Sequence, residues 1–264
     1  MPTSAPPLRG KHIYDHLGVW SRRLSEETAE TLMPITADIR IAGGVRAAPL
    51  GLAFEQGVGT YLFGKALAVP AQISLHIRDH ADGVDEIRST TRFVRVGRSI
   101  IVTDGEIRDS ADEKRLIAYG SIIWAAIGEA PGLGQPSERP GHTPAGFDVL
   151  DSAGIEPIPD SAGVRLDGLT PQTLGPGGIL HAGMYQLMCE EAALRAGRAA
   201  LGTDRVVAAD CTYDFLQPGK VGPFNANPEL LHVGSDSVDA RVTVRDEGSD
   251  NRPVCVAWVR AVSV

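Results

Sequence analysis

At 264 residues and 43% hydrophobic content, the chain is long enough to bury two small cores. A formal net charge of −8 argues against nonspecific nucleic-acid binding. No apolar run approaches the roughly 20 residues that span a bilayer. The N-terminus has no signal-peptide apolar core, and Cys189, Cys211 and Cys255 have no close pair, so a cytoplasmic protein without a membrane partner is expected.

The first helix expected along the chain covers Pro49–Lys65 and follows Arg46-Ala47-Ala48. Pro49 removes one N–H from its start. Ala48, Gly51, Glu55 and Gly59 line one of its faces. Extended segments follow at Ile87–Val96, Ser99–Arg108 and Arg115–Ala126, with turn residues such as Asp109–Glu113 between them. Arg78, Arg88, Arg92, Arg95 and Arg98 crowd this half and suit a phosphate-bearing ligand. Neighbouring Asp79, Asp82, Asp85 and Glu86 favour a self-neutralised, solvated strand face instead. His76 and His80 with Asp79 and Asp82 lie in strand and loop, where four-residue spacing does not build a site, and no metal is expected.

Pro131–Gly146, rich in Pro, Gly and polar residues, reads as a linker between domains at 1–130 and 147–264. Gly175-Pro176-Gly177-Gly178 lacks the Gly-Lys-Ser/Thr of a phosphate loop and reads as a turn. It delivers the chain to a second long helix, Leu180–Arg198. Strands are then expected at Val206–Phe215, Pro228–His232, Val238–Arg245 and Val254–Val264. No Gly-x-Ser-x-Gly elbow is present. The second helix opens with His181-Ala182-Gly183 and carries Glu190 nine positions after His181. Free N–H groups at a helix start bind anions, and a carboxylate beside such a cradle suits attack on an activated carbonyl.

The two halves match each other. An offset of 137 lays Val69–Asp109 on Val206–Asp246, with Val96-Gly97 on Val233-Gly234 and Arg108-Asp109 on Arg245-Asp246. An offset of 135 lays Glu55 on Glu190 and Arg46-Ala47-Ala48 on His181-Ala182-Gly183. This signals a duplicated α+β unit. Gly183, Gln186, Glu190, Ala193 and Gly197 share a helix face, so two helices meeting through small residues would trap both acids at their seam and raise their pKa.

The stretch His181–Glu190 resembles the HGG…D/E segment of hotdog-fold acyl-CoA thioesterases of the phenylacetate-pathway and hydroxybenzoyl-CoA types. Ala182 stands for the first glycine and Gly183 for the second. The upstream Asn or Gln of many members is absent. The resemblance implies two tandem hotdog folds, each a long central helix wrapped by a curved antiparallel sheet. It implies an acyl-CoA thioesterase with no cofactor beyond the coenzyme A of its substrate. Glu190 would be the catalytic acid, and the Ala182 and Gly183 N–H groups would hold the oxyanion. His181 would line the site, and Glu55 would be a relic of the duplicated site. Thr60 is nominated as the assisting hydroxyl from the facing unit, one position beyond Gly59. Phe54, Tyr61, Tyr185 and Met188 would line the acyl chain. A homo-oligomer of such double units is compatible with the pattern.

Two other readings stand beside this one. A hotdog enoyl-CoA hydratase or dehydratase is suggested by the likeness of Pro49–Glu55 to a dehydratase helix, with His181 facing Glu55 as a dyad. Ile41 and Pro176 occupy the places where its histidine is needed. A noncatalytic acyl-CoA-binding protein is suggested by the missing Asn or Gln and by a first helix start without glycine or histidine.

Overall fold

The computed structural model describes residues 12–42, 44–62, 67–128, 148–175 and 177–264, with the side chains of 59–62 and 67 excepted. The expected linker at 131–146 lies outside the described residues. The first half contains α1 (Ile13–Leu17), β1 (Trp20–Arg23), β2 (Thr28–Pro34), a small ribbon of β3 (Arg40–Ile41) and β4 (Gly44–Val45), and α2 (Ala47–Leu62). It continues with β5 (Leu67–Ile77), β6 (Glu86–Val96), β7 (Ile100–Asp109) and β8 (Leu116–Gly128). The second half repeats the scheme with α3 (Val149–Ala153), β9 (Ile155–Pro157), β10 (Val164–Leu166) and α4 (Ala182–Leu201). Its last four strands are β11 (Val206–Phe215), β12 (Phe224–Val233), β13 (Ser237–Asp246) and β14 (Arg252–Ser263).

Among the described residues, twelve strands form one antiparallel sheet in the order β1-β2-β6-β7-β8-β5-β11-β14-β13-β12-β10-β9. The order is a palindrome of the two halves. The halves join where β5 pairs with β11, Leu75 opposite Cys211 and Ile73 opposite Tyr213. Strand alternation explains the layering. Val238, Ala240, Val242 and Val244 of β13 are buried, while Arg241 between them is exposed. Every residue of α4 from Ala182 to Leu194 is buried, as a helix wrapped by sheet on one side and helix on the other requires. This is a double hotdog fold.

The repeat offsets hold in three dimensions. β7 and β13 differ by 137 at both ends, and α2 starts 135 residues before α4. The short strands β1, β2, β9 and β10, and the long central strand β5, are not among the strands expected from the sequence. β2 pairs with β6 and β10 with β12, so partner edges rather than local propensity create the short ones.

Candidate active site

α2 and α4 run antiparallel and touch along their first halves. A Cβ on Gly183 would collide with the Leu52 side chain, and one on Gly51 with the Gln186 amide. The glycines therefore permit the close approach expected of the small-residue faces. Gly197, assigned to the same face, instead packs on the sheet near Val206 and Val238.

The antiparallel seam corrects the pairing of acid with helix start. Residues nine apart on one helix are separated by about 13 Å along its axis. Glu190 therefore does not sit beside Ala182 and Gly183. It reaches the start of α2, where its carboxylate accepts from the Ala47 N–H at 2.6 Å and the Ala48 N–H at 3.0 Å. Burial pushes the Glu190 carboxyl above its ordinary range, opposed by nearby Arg46 and the two N–H groups. Arg46, at the position matching His181, is itself buried and donates to Glu191 at 2.8 Å, with Asp148 at 3.7 Å. This end of the seam is filled by protein: Glu190 is wholly buried and does not line the cavity at the other end.

The other end is open. Glu55 comes from α2 to the start of α4 and lines a cavity of about 560 Å³. Its walls are apolar: Ala68, Val69 and Pro70 of β5, Trp124 and Ala125 of β8, and Phe215 at the end of β11. Among the described residues Glu55 has no cationic partner, and the Gln186 amide donates to it at 3.5 Å. Burial alone raises its pKa from 4.5 to about 8. Gln186 was assigned to the seam face by spacing, but its place beside Glu55 needed the antiparallel crossing.

The start of α4 is built by its N-cap. The His181 Nδ1 accepts the Gly183 N–H at 3.0 Å, which leaves the ring proton on Nε2. Gly183 is thus not a free oxyanion donor, contrary to expectation. The Ala182 N–H has no acceptor among the described residues and lies at the cavity wall. Burial, with His12 beside it, holds His181 down to about 3, so the ring is neutral. The turn before it is as expected: Gly177 and Gly178 adopt φ of +79° and +71°, and the His181 N–H is held by the Thr173 carbonyl at 2.9 Å. Pro176 lies outside the described residues.

Two residues the sequence reading missed complete this end. His12 caps α1 and donates from Nε2 to the Leu174 carbonyl at 3.0 Å. His12 and Tyr14 both stack edge-on against His181, with ring centroids 5.1 Å apart in each case. Burial and the nearby Glu55 charge raise the Tyr14 pKa, which keeps its hydroxyl protonated. Nothing local marks these residues in the sequence, because the first half supplies them to a helix of the second.

Tyr185 lines the cavity as expected, and its hydroxyl accepts the Gly219 N–H at 2.8 Å. Phe54 does not line it; the ring is wholly buried and points at Gly105 of β7, because it lies on the sheet side of α2. Met188 is likewise wholly buried in the core. The side chains of Thr60 and Tyr61 lie outside the described residues. His76 pairs with Asp210 at 2.7 Å and Asp79 with Arg115 at 2.8 Å, in the solvated strand setting the spacing suggested.

Residues 177–251 match the family model for the thioesterase superfamily. No curated protein sequence matches the chain. Among solved structures, the chain is similar to the tesB protein of Mycobacterium avium subsp. paratuberculosis, with a TM-score of 0.69 at 12% identity over 96% of this chain and 98% of that one. It is similar to the 12:0-ACP thioesterase of Umbellularia californica, with a TM-score of 0.61 at 9% identity over 94% and 95%. It is also similar to the acyl-CoA thioesterase II TesB2 of Mycobacterium marinum, with a TM-score of 0.55 at 13% identity over 96% and 98%. At these identities the likeness is one of fold. No helix among the described residues is long and apolar enough to cross a membrane.

Proposed function

We propose that the chain hydrolyses acyl thioesters at the Glu55 end of the helix seam. The observation that carries this is one juxtaposition: an unpaired buried carboxyl and an unpartnered helix-start N–H open onto the same apolar cavity. The match to the thioesterase superfamily model and neighbours named for acyl-CoA and acyl-ACP substrates support the reaction class.

In this reading the acyl chain lies against β5, β8 and Phe215, and the carbonyl points to the Ala182 N–H. Ionised Glu55 takes a proton from water as it attacks the carbonyl. A base titrating near 8 is matched to that task at neutral pH. The oxyanion forms at the α4 start, where the helix dipole and the Ala182 N–H favour negative charge. Collapse expels the thiolate, which takes the proton from Glu55. Neutral His181 presents Nε2–H to the same cavity and adds a donor without adding charge.

The test is steady-state thiol release from acyl thioesters. Glu55→Gln should lower turnover by about 10² to 10⁴-fold. Glu190→Gln should leave the folded enzyme active, and Ala182→Gly should too, because its donor is backbone. Full activity in Glu55→Gln would overturn the assignment. A second reading, enoyl-thioester hydration, is favoured by one observation: His181 and Glu55 share the cavity from opposite helices. Loss of enoyl absorbance without thiol release would establish it in place of hydrolysis.

A further inference from the structure

Three of the five arginines crowding residues 78–98 are neutralised within the protein. Arg78 pairs with Asp210, Arg88 with Glu30 and Glu113, and Arg92 with Asp104. Arg95 and Arg98 are exposed and have no acidic partner among the described residues. Both lie on the β6–β7 hairpin. The Gly97 N–H closes its turn on the Ile100 carbonyl at 2.9 Å. The Ala126 N–H donates to the Ser99 carbonyl at 3.0 Å, fastening the turn to β8 between Ala125 and Ile127, which line the cavity. Ile127 is 58% exposed, so the cavity reaches solvent on this side, as it also does at Leu216, which is 53% exposed.

The β12–β13 hairpin is an internal control. Its turn repeats both bonds, from the Gly234 N–H to the Ser237 carbonyl and from the Ser263 N–H to the Asp236 carbonyl. Both hairpins also expose apolar side chains, Val94 and Val96 on one and Leu231 and Val233 on the other. The charges differ. His232 stands in the place of Arg95, Ser235 in that of Arg98, and Asp236 in that of Ser99. By the repeat symmetry this second hairpin flanks the closed, Glu190-filled end. Two arginines thus mark the hairpin beside the open cavity, and an acid marks the hairpin beside the closed one, in a protein of net charge −8.

We propose that Arg95 and Arg98 hold the phosphate end of the pantetheine arm that presents the acyl group to the cavity. The proposal rests on the thioester reading of the site. A guanidinium pairs with phosphate through charge-assisted, geometrically matched hydrogen bonds. Pantetheine 4′-phosphate reaches such a site from two sources, coenzyme A or a carrier protein.

The experiment compares the wild type with the double variant Arg95→Ala/Arg98→Ala, whose sites are exposed and leave the core untouched. Equilibrium binding is measured for coenzyme A and for a phosphopantetheinylated carrier protein. KM is measured for one acyl group on coenzyme A and on phosphate-free N-acetylcysteamine. The wild type should bind at least one phosphate-bearing probe, and the one it binds identifies the source. The variant should weaken that binding and raise the matching KM by about tenfold or more, with kcat unchanged. The N-acetylcysteamine KM should not move, and the salt sensitivity of coenzyme A binding should fall. Binding of neither probe by the wild type, unchanged binding by the variant, or equal losses on both substrates would overturn the proposal. Arginine-dependent binding without hydrolysis of any thioester would overturn the hydrolase reading and leave this site standing.

Discussion

Glu55 and Glu190 each occupy the ninth residue of their helix and each faces the start of the other helix. What separates them is the residue before that start. Arg46 spends its guanidinium on Glu191, so the Ala47 and Ala48 N–H groups are left for Glu190. His181 caps its own helix by taking the Gly183 N–H, so Glu55 keeps its proton and faces the cavity. Two expectations follow. The kcat/KM for thioester hydrolysis should rise with pH and level off above about 8, as Glu55 ionises. A profile flat from pH 6 to 9 would remove Glu55 as the base. The second concerns stability. Folding raises the Glu55 pKa from 4.5 to about 8, so the stability this group contributes is complete below about 4.5 and is lost as pH rises through 8. Between those values the loss approaches about 1.4 kcal/mol per pH unit. Glu55→Gln has no proton to release, so its Tm should gain on the wild type from pH 5 to 8 and gain no more above 9.

At the scale of elements, the seam sets how close α2 and α4 lie, and Gly183 against Leu52 is one of its two tight points, with Gly51 against Gln186 the other. Gly183→Ala should cost about 1–3 kcal/mol through overpacking, and Leu52→Ala about 2–5 kcal/mol through the cavity it leaves. The double variant should fall short of the sum by about 0.5–3 kcal/mol, because the new methyl enters the vacated space. Thermal melts of the four proteins measure this. Strict additivity would mean the helices do not meet at this pair.

The whole molecule makes the site a joint product of both repeats. Glu55 and Tyr14 come from the first half, and His181, Ala182 and Gln186 from the second. The central β5–β11 pairing holds them in register. Fragments divided within residues 131–146 should therefore co-purify when expressed together and hydrolyse thioesters as a pair. Neither fragment should be active alone, since one lacks the oxyanion donor and the other lacks Glu55. Activity in the isolated second fragment would contradict the composite site.

The duplication, the two long helices, most of the sheet strands and the burial of both acids were legible in the chain. Each rests on local periodicity or on a constant offset, and both survive folding. The strands β1, β2, β5, β9 and β10 were not legible, and for the short ones it is a partner's edge that makes them strands. The choice between the acids was not legible either. Reading along one helix joins His181 to Glu190, yet helical rise carries that glutamate about 13 Å away from its own N-terminus. Only the antiparallel crossing of α2 and α4 brings Glu55 to Ala182, because sequence order records which residues share a helix but not which helix end a side chain meets across a packed seam.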